Sequence, residues 1–138
     1  MKALVIAAHG SRKKDADKQI LELADRIRAR LHNCFDRVDP AFLQFSQPEL
    51  GQKLEELVLA GADHVVVFPF FISRGSHISS DLPELINKAR QKFPAAEFTL
   101  TRHLGIIEGL DDLICREVTL SFHCPQQDQG HHGKSGSY

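Results

Sequence analysis

The chain has 138 residues, 42% of them hydrophobic and 25% charged, with a formal net charge of -1 at pH 7. That length and balance fit one compact domain and leave no room for a second independent core. A near-neutral chain has no global attraction to nucleic acid or to an anionic membrane, which excludes both as partners and makes any anion site local.

Lys2 to Ala8 is a continuous apolar run with β-branched residues, too short for a helix and far below the ~20 residues that span a bilayer, so it predicts a buried strand. No cleavage region follows it, and the expected location is the cytoplasm. Ile20, Leu23, Ala24, Ile27 and Leu31 recur at helical steps with charges between them, which predicts an amphipathic helix. Val38 to Phe45 is the second strand, its start blurred by Pro40. Gln47 to Ala60 is a helix with Leu50, Leu54, Leu57 and Val58 on one face and Gly61 as its terminator.

His64 to Phe71 contains Val65, Val66, Val67 and Phe68 and predicts a central strand buried on both faces. Ser80 or Asp81 caps the next helix, with Pro83 in its first turn and Leu82, Leu85, Ile86, Ala89 and Phe93 as its buried stripe. Glu97 to Thr101 is a short fourth strand, and Ile107, Leu110, Ile114 and Val118 mark a last helix. From His123 the sequence is rich in Gln, Gly, Ser and His, with too little apolar surface to offset its ordering entropy. The expectation is an α/β three-layer sandwich over residues 1–122, a four-stranded, mostly parallel sheet with helices on both faces, followed by a flexible polar tail over 123–138.

In such a sheet ligands bind beyond the carboxyl ends of the strands, near the reversal of strand order. There the sequence places His9, Gly10, Ser11 and Arg12 after strand one, Gln44 at the end of strand two, and Ser73, Arg74, Gly75, Ser76 and His77 after strand three. Two neutral imidazoles, His9 and His77, can bind a divalent first-row metal or accept a proton near neutral pH. Small residues beside each, Gly10 and Ser11 or Gly75 and Ser76, let a bulky ligand approach the backbone. Arg12 and Arg74 add fixed positive charge suited to carboxylates. A ligand bearing several carboxylates fits this set.

The other polar features point elsewhere. There are eight histidines, but His32, His64, His103 and His123 lack convergent partners and read as structural. Cys34, Cys115 and Cys124 form no CxxC pair and read as reduced packing residues. Gly130, His131, His132, Gly133, Lys134 and Ser135 imitate the end of a phosphate-binding loop. The first glycine of that motif would fall at Asp128 and no buried strand precedes it, so no ATP site is expected.

The runs Ala7 to Arg12, Pro69 to Ile78 and Asp81 to Pro83, with Phe42-Leu43 leading to Pro48 and His103-Leu104-Gly105, resemble the CbiX/SirB group of sirohydrochlorin chelatases. The likeness covers about Lys2 to Val118 in the same order. It implies ATP-independent insertion of Co2+ or Fe2+ into sirohydrochlorin, on the route to cobalamin or siroheme, with His9 and His77 as metal-binding and catalytic residues. Ni2+ suits the same imidazole ligands. Ser11, Arg12, Gln44, Ser73, Arg74, Gly75 and Ser76 would then contact the tetrapyrrole. The resemblance also implies a homodimer that imitates the two lobes of longer chelatases.

One departure from the family matters: Gln44 stands where many relatives carry a glutamate, followed by Gln47 where another acidic residue is common, and an amide neither takes a proton at neutral pH nor attracts a cation as a carboxylate does. The alternative is therefore a metal or tetrapyrrole carrier without turnover. Phosphoryl transfer through His9 and Arg12 is a weaker third reading, since the usual order of arginine before histidine is absent.

Overall fold

The computed structural model describes residues 1–73 and 77–123, with residues 77–80 described by their backbone alone. Arg74, Gly75, Ser76 and the tail from residue 124, including Cys124 and the segment Gly130 to Ser135, lie outside the described residues. The chain divides into two units, Met1–Ile107 and Glu108–Tyr138.

The first unit alternates strands and helices: β1 (Lys2–Ala8), α1 (Lys14–Leu31), β2 (Arg37–Phe42), α2 (Leu50–Leu59), β3 (His64–Pro69), α3 (His77–Lys92) and β4 (Glu97–Leu100). The four strands form one parallel sheet in the order β2-β1-β3-β4. β1 is followed by β2 on one side while β3 lies on its other side, so strand order reverses between β1 and β3.

Residues Ala3 to Ala8 of β1 are all buried, so this strand, and not β3, is the one covered on both faces. β3 alternates instead, with Val65, Val67 and Pro69 buried and Val66 and Phe68 half-buried. The expectation for β3 fails because the two faces carry different loads. Ala3, Val5, Ala7, Val65 and Val67 pack with Leu50, Leu54 and Leu57 of α2 and Leu82, Ile86 and Ala89 of α3. The opposite face, through Leu4, Ile6 and Val38, packs on Ala24, Ile20, Ile27 and Leu31 of α1. Each fully buried leucine of α2 contributes about 1.5–3 kcal/mol over the exposed state.

Several boundaries differ from expectation. β2 ends at Phe42 and not at Phe45, because the chain turns: Phe45 has φ 64 and Phe42 N–H bonds the Pro48 carbonyl at 2.9 Å. Pro40 is accommodated inside β2, which is an edge strand with one side free of ladder bonds. α2 starts at Leu50, since Glu49 is bridged to Phe42 and is extended. α3 begins at His77, ahead of Ser80 and Asp81, and runs through Pro83. β3 also stops at Pro69, two residues short of Phe71.

Charge protects the β2 edge. Lys53, only 8% exposed, reaches Glu56 at 2.9 Å and Asp39 at 3.6 Å, and Arg37 reaches Glu56 at 3.1 Å. Such a row discourages pairing with another strand.

The second unit contains α4 (Leu110–Ser121), opened by Gly109 at φ 91 with Asp111 and Asp112 in its first turn, where they complement the helix dipole. Its stripe is apolar as expected, yet Leu113, Ile114, Val118 and Leu120 are each more than half exposed. No helix among the described residues is long and apolar enough to cross a membrane. Cys34 and Cys115 are free and exposed, so they are not the packing residues expected.

Candidate active site

Because the sheet is parallel, the segments after all four strands emerge at one edge. His9 follows β1 directly, and His77 is the first residue of α3, which follows the neighbouring strand β3. His77 therefore belongs to a helix N-terminus and not to the preceding loop, where it was expected. A helix N-terminus points unsatisfied N–H groups and positive dipole outward, which favours anionic ligand groups.

His9 is half-buried, and its ring lies against Phe71, centroids 4.3 Å apart and planes inclined by 37°. Phe71 is 3% exposed and part of the α2/α3-side core. The chain reaches it through Phe70, whose N–H bonds the Ala7 carbonyl at 2.7 Å, so the loop after β3 stays tied to β1.

The loop after β2 is clamped to the loop after β1. Leu43 N–H bonds the Ala8 carbonyl at 3.0 Å and Gln44 N–H bonds the His9 carbonyl at 2.9 Å. Ser11 N–H donates to Ser46 Oγ at 3.0 Å, and that hydroxyl donates back to the Ser11 carbonyl at 3.1 Å. Ser11 Oγ in turn accepts the Lys13 N–H at 3.0 Å, ahead of α1.

Gly10 has φ 89, and a Cβ there would lie 1.7 Å from the Gln44 carbonyl oxygen. The missing side chain thus makes room for the neighbouring loop, and the expected approach of a ligand to this backbone is not what occupies that space. Gln44 consequently sits in a turn, half-buried, two residues beyond the end of β2. A second backbone contact of the same kind joins Gly105, where a Cβ would lie 1.8 Å from the Ile72 carbonyl oxygen, to the segment after β3.

Arg12 is exposed at the rim, with its guanidinium carbon 4.7 Å from the centroid of the Phe45 ring. Ser73 and Ile72 are exposed on the segment after β3. The structure thus brings His9, Ser11, Arg12 and Gln44 into one linked pair of loops. Arg74, Gly75 and Ser76 lie outside the described residues, and Ser73 stands just before them. Sequence reasoning missed Phe71 and Phe45 as supports of His9 and Arg12. Their only signal was an aromatic residue flanking each polar cluster.

The other histidines are occupied as anticipated for His32, whose Nδ1 is 2.9 Å from the Ala29 carbonyl, and for His64, whose Nε2 is 2.8 Å from Thr99 Oγ1. His103 is 8% exposed, ahead of the short 3-10 turn Leu104–Ile106. His123 is exposed.

The family model for CbiX matches residues 3–120, and the chain belongs to that family. A sirohydrochlorin cobaltochelatase from Methanococcus maripaludis is 35% identical over 86 residues, which cover 62% of this chain and 58% of that protein. A sirohydrochlorin cobaltochelatase from Saccharolobus solfataricus is 26% identical over 129 residues, 89% of this chain and 98% of that protein. The sirohydrochlorin chelatase SirB from Bacillus subtilis subspecies spizizenii, solved in complex with cobalt, shares the fold: TM-score 0.72 at 24% identity, over 86% of this chain and 50% of that chain. The chain therefore spans less than two thirds of the Methanococcus relative and half of the SirB chain.

Proposed function

We propose that this chain inserts a divalent metal, Co2+ or Fe2+, into sirohydrochlorin without ATP, on the route to cobalamin or siroheme. The observation that carries the reading is the position of His9 and His77 beyond the ends of adjacent central strands, one on each side of the reversal in strand order.

The reaction defines what the residues must do. The metal ion exchanges its waters for four pyrrole nitrogens, and two pyrrole N–H protons depart, so one dication enters for two protons released. In our reading His9 and His77 hold the incoming ion through ring nitrogens, and one of them takes a departing proton. Two ligands hold a metal weakly enough to surrender it, where a closed four-ligand cage would retain it. Arg12 and Arg74, with Ser11, Gln44, Ser73, Gly75 and Ser76, orient the carboxylates of the macrocycle. Imidazole also suits Ni2+, which belongs to the same substrate class.

The active assembly in this reading is a homodimer. It is supported by the chain matching half of the longer SirB chain. The free, exposed thiols of Cys34 and Cys115 fit the reducing cytoplasm, where we place the protein.

The test follows the absorption spectrum of free sirohydrochlorin with and without added Co2+ or Fe2+. Turnover gives metal-dependent loss of that spectrum, faster than in the protein-free mixture. Equal rates with and without protein would refute the enzyme. A carrier is the second reading, favoured by the amide at Gln44, and it predicts stoichiometric binding with no product. Turnover by the wild-type chain separates the two, and Gln44→Glu in parallel measures what the amide changes.

A further inference from the structure

We propose that Phe45 is a positioning residue for substrate binding, its ring carrying the Arg12 guanidinium so that the fork faces the carboxylates of the macrocycle. The inference rests on the chelatase reading above.

Phe45 is the only residue other than glycine with positive φ among the described residues, at φ 64. A bulky side chain in that region is an outlier that the surrounding structure must enforce. The residue is also 58% exposed, so core packing does not account for its presence. Nor does loop integrity. The neighbours on either side are held by hydrogen bonds that do not involve the ring, from Gln44 N–H to the His9 carbonyl at 2.9 Å and between Ser11 and Ser46 at 3.0 and 3.1 Å. Glycine or asparagine would fill position 45 with less strain.

What the ring does touch is Arg12, whose guanidinium carbon lies 4.7 Å from its centroid. A guanidinium held over an aromatic ring keeps its in-plane N–H edges free, and those edges bind a carboxylate through two parallel hydrogen bonds. Arg12 has a long side chain exposed to solvent, and without a surface to lie on it would lose more rotamer freedom on meeting a substrate. The strain at Phe45 thus purchases an arginine already arranged for an anionic ligand, next to Ser11 and three residues from His9 in the clamped loop pair.

The test measures the dissociation constant of metal-free sirohydrochlorin by fluorescence, beside thermal melting, for the full chain and four variants. Phe45→Gly should weaken binding about 2- to 5-fold while the melting temperature stays level or rises, because glycine relieves the positive φ. Phe45→Tyr should restore affinity. In an Arg12→Ala background, Phe45→Gly should add no further loss. Unchanged binding by Phe45→Gly would overturn the proposal, as would an equal loss with and without Arg12, or a fall in melting temperature that Phe45→Tyr repairs without restoring affinity. A wild-type chain that does not bind sirohydrochlorin would overturn the chelatase reading itself, and this inference with it; wild-type binding with an indifferent Phe45→Gly removes only the inference.

Discussion

The imidazole of His9 rests on the ring of Phe71, centroids 4.3 Å apart, and Phe71 itself is 3% exposed. A histidine just beyond a strand is thereby seated on the packed interior, which narrows the conformations its ring can search. Phe71→Leu keeps most of the buried volume, so its cost should stay below about 1.5 kcal/mol. Phe71→Ala opens a cavity and should cost about 3–5 kcal/mol. Urea unfolding checks both values, and loss of the ring-current shift on the His9 ring protons checks the contact in the leucine variant.

His9→Ala and His77→Ala should each lower metal insertion by about 100-fold or more, the range of a removed proton-transfer group. His9 lies outside the described hydrophobic core clusters, so the unfolding midpoint of His9→Ala should change little. Initial rates from the sirohydrochlorin spectrum provide the measurement, with circular dichroism as the control for folding.

Gly10 and Gly61 both have positive φ, 89 and 107, but only Gly10 has a neighbour in the space of a Cβ. Gly61→Ala should therefore cost only the left-handed penalty of about 1–2 kcal/mol. Gly10→Ala carries that penalty and a collision with the Gln44 carbonyl, so it should be the more destabilising and should separate the two site loops. Paired denaturation curves decide this ranking.

Hydrogen bonds from Lys53 and then Arg37 hold the Glu56 carboxyl below its ordinary value of 4.5. A carboxyl with a depressed folded pKa stabilises the protein above its unfolded pKa, and the contribution is lost as pH falls through the lower folded value. Stability should therefore decline below about pH 4.5, and Glu56→Gln should flatten that decline. Asp63, depressed by the N-terminal amine, acts in the same direction and keeps the slope from vanishing. Urea midpoints across that acid range test the difference.

The parallel sheet was legible because β1 and β3 are apolar runs bounded by turn residues, and period 3.6 marked α1, α2 and α3. Local patterning was weaker wherever long-range contacts decide a boundary. Phe42 to Phe45 has the composition of a strand, but the turn through Phe45 brings Glu49 back beside Phe42, and residue type alone does not encode that bridge. Pro83 suggested a helix start, whereas α3 begins six residues earlier and tolerates the proline within it. At the site, the histidines and Arg12 could be singled out by chemistry. Phe71 and Phe45 could not, since each matters through what it supports and aromatic residues such as Phe42 and Phe98 simply fill the core.

The central claim is that two imidazoles from separate strand ends share one metal ion, and Co2+ reports on it directly. Titrating Co2+ into the protein while observing assigned histidine ring protons by NMR should shift or broaden His9 and His77 together, at one midpoint, and His9→Ala should abolish the effect at His77. Perturbation of only one ring, or of both at separate midpoints that survive loss of the other, would contradict the account.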